Sequence, residues 1–144
     1  MQVDLNKYTK FVEAITSKES NDFTSFLDSI DYLDANYDYK TGTHGPDINV
    51  PLVITCAMGM SGESGEFSEI FKKVIFHKKP YTEETKAHAA KELGDILWYW
   101  TNACRALNLD PNQIIADNVE KLSARYPGGK FDATYSENRA EGDV

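Results

Sequence analysis

The run "VPLVITCAMGMSGESGEFSEIFKKVIFH", residues 50–77, decides the fold class. Met60, Glu63, Phe67, Ile70 and Val74 recur at steps of three and four, a helical period sustained far longer than a strand runs. Pro51 suits the first turn of a helix, where its missing N–H costs nothing. A helix over about 50–77 is therefore expected. Its apolar stripe contains a carboxylate: at about 100° of rotation per residue, Met60, Phe67, Ile70 and Val74 all lie within roughly 60° of Glu63. Glu66 stands at the edge of that stripe, and Glu69 points largely away.

Outward from this segment the same period continues. Leu5, Tyr8, Phe11, Val12 and Ile15 set out a first amphipathic helix, and Phe23, Phe26, Leu27, Ile30 and Leu33 a second. The turn-forming stretch "KTGTHGPDIN" reads as a loop. "KKPYTEE" ends the long helix, and Thr82 ahead of acidic residues is a candidate N-cap for a helix to about 107. Asp110 and Pro111 supply a cap and a first-turn proline for a last helix to Arg125, which "YPGG" closes. From Lys130 on, the polar residues predict a tail or an arm laid across a neighbour. No run alternates as a strand does, and nothing repeats at a fixed period. The expected architecture is all-α, one domain forming a compact bundle of about five helices. Within it, 1–47 hold the N-terminal helices and loop, 48–131 the main helical body, and 132–144 a polar tail.

With 144 residues, 41% of them hydrophobic and 26% charged, the chain is long enough to bury a core without disulfides or a structural metal. Cys56 and Cys104 have no motif spacing and sit in apolar helical stretches, so they read as reduced core residues in a cytoplasmic protein. The apolar runs are too short to span a membrane, and "MQVDLNKYTK" lacks the apolar core of a signal peptide. A net charge of −8 argues against a duplex nucleic-acid partner, which calls for clustered Lys and Arg. It does not argue against a phosphate ligand, because a bound dication inverts the local sign.

Acid pairs spaced i, i+3 are common in this chain, and most suit a solvated helix face. Two pairs differ in where they point. Glu63 and Glu66 meet the apolar stripe of one helix. Glu92 borders the stripe of Ala89, Ile96, Trp100, Ala103 and Leu107 on the next, with Asp95 one step further round. Carboxylates in an apolar seam lose hydration, and two of them about 4 Å apart repel by roughly 4 kcal/mol at an effective dielectric of 20. A divalent cation makes the arrangement reasonable, and four hard oxygen donors suit Mg²⁺ or Mn²⁺ better than zinc. A di-iron bundle needs Glu-x-x-His pairs, which are absent; His77 and His88 read as helix-surface residues and His44 as a loop residue. Gly59, Gly62, Gly65 and Gly94 each cost about 1 kcal/mol in a helix interior relative to alanine, so a close approach by another helix, a ligand or a metal-bound water is expected there. "GMSGESG" lacks the lysine and the preceding strand of a phosphate-cradling loop.

Glu63-x-x-Glu66, 25 intervening residues and Glu92-x-x-Asp95 together resemble the signature of the MazG-like nucleoside triphosphate pyrophosphohydrolases. The wider pattern "GESGEFSEIFKK", "KELGDILWYW" and "NVEKLSARYPGGKF" is similar to that family in the same order, over about residues 50–131. The resemblance implies an all-α, dimer-forming bundle, often assembled into tetramers. It also implies Mg²⁺-dependent cleavage of a nucleoside triphosphate between its α and β phosphates, giving a monophosphate and pyrophosphate. On it, Glu63, Glu66, Glu92 and Asp95 match the metal ligands, and Lys121 matches a lysine at the phosphates, with Asn118 beside it. Ser61-Gly62 departs from the family, in which larger apolar residues commonly precede the first glutamate.

Roles follow for the remaining residues. One carboxylate left free by the metal is expected to orient or deprotonate the attacking water, with Glu66 the first choice and Glu63 the second. Asn118, Lys121 and Arg125 fall within about 60° on the last helix and form a polar strip suited to reaching the β and γ phosphates. Lys73, about 80° from Glu63, is a further candidate. Trp98 is available to stack on a base or meet a partner subunit, whereas Trp100 reads as core. Two alternatives stand beside this reading. One is a hydrolase of another phosphorylated nucleotide, such as a signalling nucleotide; the other is a non-catalytic helical interaction module whose acids only solubilise it.

Overall fold

A computed structural model of the chain describes residues 4–34, 37–38, 43–44 and 48–138. The protein is all-α in architecture and divides into two units, Met1–Val50 and Pro51–Val144. In the first, α1 (Leu5–Ile15) starts at Asp4, whose carboxylate accepts the Lys7 N–H at 3.1 Å. The four-residue α2 (Lys18–Asn21) packs against α3 (Phe23–Asp34). At the start of α3 the Asp22 carboxylate accepts the Ser25 hydroxyl at 2.7 Å and its N–H at 2.8 Å. Those two bonds, the hydroxyl first, hold the Asp22 carboxyl below its ordinary range. β1 (Tyr37–Asp38), just ahead of the stretch expected as loop, pairs antiparallel with β2 (Thr43–His44) inside it, in the register Tyr37↔His44. Two residue pairs are too short to carry the alternation by which a strand is recognised. Leu33, counted in the second helix stripe, has a side chain outside the described set.

The second unit holds the long helices. α4 (Val50–Phe76) and α5 (Glu83–Ala106) run antiparallel: Gly59 faces Tyr99 while Glu63 faces Glu92 and Asp95. α6 (Pro111–Arg125) follows, with Asp110 accepting the Asn112 N–H at 2.9 Å and Pro111 in the first turn. The stretch expected as a polar tail contains a further short helix, α7 (Ala133–Glu137), capped by Asp132 through the Thr134 N–H at 2.7 Å. The expected helix ends hold to within a residue or so, because caps and breakers are local.

Both ends of α5 are closed locally. Thr82 accepts the Thr85 N–H at 3.2 Å at the start. At the other end Leu109 N–H bonds to the Cys104 carbonyl at 2.9 Å and Asn108 N–H to that of Arg105 at 3.2 Å, with Asn108 at φ 52°. That is a Schellman turn with asparagine in the left-handed position usually taken by glycine.

The core is thin and made of small residues: Cys56, Ile70, Ala89, Cys104 and Ala106 are buried in this unit. Both cysteines are buried and free, as their placement in apolar helical stretches predicts. Of the four helical glycines, Gly59 is explained within the chain, since a Cβ there would run into the Tyr99 ring. Gly62, Gly65 and Gly94 have nothing within 4 Å of that position. No helix among the described residues is long and apolar enough to cross a membrane.

Candidate functional site

The antiparallel pairing of α4 and α5 decides which acids meet. Oxygens of Glu63, Glu92 and Asp95 all lie within 4.8 Å of one another. Glu92 is buried, Glu63 half-buried and Asp95 exposed, so the cluster sits at the mouth of the seam between the two helices, partly open to water. Glu63 carries the cost of this crowding. Loss of hydration first, then a hydrogen bond with Glu92 and the charges of Glu66, Asp95 and Glu92, push its carboxyl above the ordinary range. A cation among these oxygens would offset the crowding that Glu63 carries. The donors are all hard oxygens on two rigid helices, which fits Mg²⁺ or Mn²⁺.

Glu66, one turn on from Glu63, is exposed and stands outside the set of three. It is still near enough for its charge to act on Glu63. Glu69 faces elsewhere, pairing with Lys72 and, at 3.4 Å, with Lys73. Those lysines hold the Glu69 carboxyl below its usual range, the hydrogen bond from Lys72 contributing most.

One contact was not foreseen. His88, on the helix surface as expected, also places Nε2 2.9 Å from Glu92 Oε1. The side chain of Glu92 is only 8% exposed, so the imidazole supplies a polar partner that water cannot. The i, i+4 spacing on α5 was the available signal, since such residues are neighbours on a helix face.

Of the other candidate residues, three line one of two cavities and two line neither. Asn118 and Lys121 line one of about 500 Å³ together with Trp100, which is half-buried and not core as expected. Arg125 is half-buried at the end of α6 and does not line that cavity. Lys73 lines a separate cavity of about 630 Å³ between α4 and the start of α5. Trp98 is exposed on α5 and meets Tyr99 edge-on, ring centres 4.8 Å apart at 86°.

Residues 54–129 match a family model described as the MazG nucleotide pyrophosphohydrolase domain, more than half of the chain. "Gene 37 protein" of Mycobacterium phage L5 is 32% identical over 73 residues, 50% of this chain and 64% of that protein. The similarity thus spans less than two thirds of that relative's length. No solved structure matches significantly.

Proposed function

The chain belongs to the MazG nucleotide pyrophosphohydrolase domain family, and on that footing we propose that it hydrolyses a nucleoside triphosphate, ribo- or deoxyribo-, to the monophosphate and pyrophosphate. One observation carries the reading: three carboxylates from two helices converge within 4.8 Å, one of them buried. Glu63, Glu92 and Asp95 are the residues that would hold Mg²⁺, with Mn²⁺ as a substitute, and Glu66 stands ready to complete the set. A dication there would neutralise phosphate charge and acidify a bound water.

The chain's own groups do the rest. Glu66, exposed and outside the convergent set, orients the water that attacks the α-phosphorus and takes its proton, with Glu63 as the alternative base. The new bond joins that water's oxygen to the α-phosphorus; the bond from the α-phosphorus to the bridging oxygen breaks, and pyrophosphate departs. Asn118 and Lys121 share a cavity with Trp100, where an indole beside a cation and an amide suits a nucleoside with its α-phosphate. Arg125, on the same helix strip, is held as a further phosphate contact. Trp98 is assigned to a base or to a partner subunit. We assign a second copy of the chain to the exposed Leu93, Leu97 and Trp98 of α5, giving a homodimer or homotetramer, and a cytoplasmic setting on the strength of the reduced cysteines.

The test is a screen of ribo- and deoxyribonucleotides with Mg²⁺ or Mn²⁺, following monophosphate and pyrophosphate together. Equimolar release of the two is expected. Orthophosphate without pyrophosphate would support the signalling-nucleotide alternative, and no turnover of any nucleotide would leave the interaction module. Glu92→Gln is expected to lower turnover by about a hundredfold or more while the helical circular dichroism stays unchanged.

A further inference from the structure

Beside the acid cluster, toward the N-terminal end of α5, the 630 Å³ cavity collects Lys73, Lys79 and Lys91. Acidic residues outnumber basic ones in this chain by 23 to 15, yet this concavity holds three lysines and one glutamate, Glu84. Lys73 is shared with Glu69 at 3.4 Å. Among the described residues, Lys79 and Lys91 have no acidic partner within 4 Å. A single solvated lysine needs no partner, but three around one hollow focus a positive potential that an anion relieves. Glu83 and Glu84 already complement the first turn of α5, so the lysines and not the helix end supply the attraction.

Position gives the second argument. His88 lines this cavity and also touches Glu92. The four residue steps from His88 to Glu92 span about 6 Å of helix, so the cavity begins where the acid cluster ends. Trp100, on the other side of Glu92, lies eight residues or about 12 Å along the same helix. The acid cluster therefore sits between a basic cavity and one lined by an indole, an amide and a cation.

We infer that the basic cavity seats the pyrophosphate portion of the substrate, the β- and γ-phosphates before cleavage and pyrophosphate after it, held by Lys79 and Lys91 with Lys73. This rests on the pyrophosphohydrolase reading for its substrate. It gives the triphosphate a direction: nucleoside toward Trp100, α-phosphorus at the carboxylates, leaving group toward the start of α5.

Calorimetric titration of inorganic pyrophosphate into the full chain in EDTA tests the site without metal or turnover. Wild-type protein is expected to bind pyrophosphate more tightly than sulfate. The double variant Lys79→Ala/Lys91→Ala is expected to lose about tenfold in that affinity or more, with its Mn²⁺ affinity kept. A control with the same charge change on α1, Lys7→Ala/Lys10→Ala, is expected to bind pyrophosphate as wild type does. No preference over sulfate, an unchanged affinity in the cavity variant, or an equal loss in the α1 control would each overturn the assignment. Turnover separates the two claims. Pyrophosphate binding through these lysines without nucleotide hydrolysis would keep the site and sink the activity. Hydrolysis with KM for the triphosphate and pyrophosphate inhibition unaltered in the cavity variant would do the reverse.

Discussion

At the scale of single residues, Glu63 carries the most legible electrostatic burden. Its carboxyl lies above the ordinary value of 4.5, chiefly because it is desolvated and then because Glu92 and other acids surround it. The folded state therefore binds this proton more tightly than the unfolded one. Its contribution to stability is fully present below the unfolded value and is lost as pH rises through the higher folded one. In metal-free protein, melting temperature should consequently fall with rising pH more steeply for wild type than for Glu63→Gln, over the window beginning near pH 4.5. Identical pH slopes would show that Glu63 is not strained. Added Mg²⁺ should flatten the wild-type slope, since a cation replaces the proton. His88 acts one step out, on the buried Glu92. His88→Ala should weaken Mn²⁺ binding by about tenfold, the scale typical of a partner that orients a metal ligand, and titration calorimetry would read it. An unchanged Mn²⁺ affinity would leave His88 as a surface residue with no part in holding Glu92.

At the scale of elements, the pairing of α4 with α5 is what turns two sequence motifs into one cluster. Gly59 sets this pairing where it meets Tyr99. Gly59→Ala gains about 1 kcal/mol of helix propensity but drives a methyl into that ring, and overpacking of this kind costs about 1–3 kcal/mol. A net loss of stability in chemical denaturation is expected, relieved when Tyr99 is also cut to alanine. A stabilised single variant would mean that the ring yields freely. The five longer helices were readable from the sequence because Thr82, Asp110, Pro51 and the three-and-four spacing act within a few residues, whereas the short α2 and α7 carry no such period. The convergence of Glu63 with Glu92 and Asp95 was readable in part, because each points toward its own apolar stripe. Glu66 pointed to the stripe's edge and lies outside the convergent set. The lysine cavity and the half-buried place of Trp100 were not legible, since both depend on distances between helices that periodicity leaves free.

At the scale of the whole molecule, the thin core leaves much apolar surface to be covered. Met58, Leu97, Ile115 and Val119 are each more than half exposed, and scattered apolar residues alone need no explanation, but rows along helices do. The three glycines with open space beside them, Gly62, Gly65 and Gly94, would admit a neighbouring backbone or a substrate equally well. Light scattering should give a mass at least twice the 16.2 kDa of one chain. Leu97→Glu should shift it to the monomer value and lower the melting temperature, because a charge cannot be buried against a second copy at no cost. A monomer at all concentrations in the wild type would remove the partner copy. At the other extreme of size, the two closed ends of α5 have a consequence for the spacing of the groups along it. Thr82 stops the helix at one end and the Asn108 turn at the other, each by hydrogen bonds within a few residues. Lys91, Glu92 and Trp100 therefore keep fixed spacings along one continuous helix, about 1.5 Å per residue, whereas Lys79 sits in the connection that precedes it. On the placement proposed above, a nucleoside diphosphate with its base at Trp100 would leave the lysine end of that spacing unfilled, and should bind more weakly than the triphosphate in the same calorimetric titration.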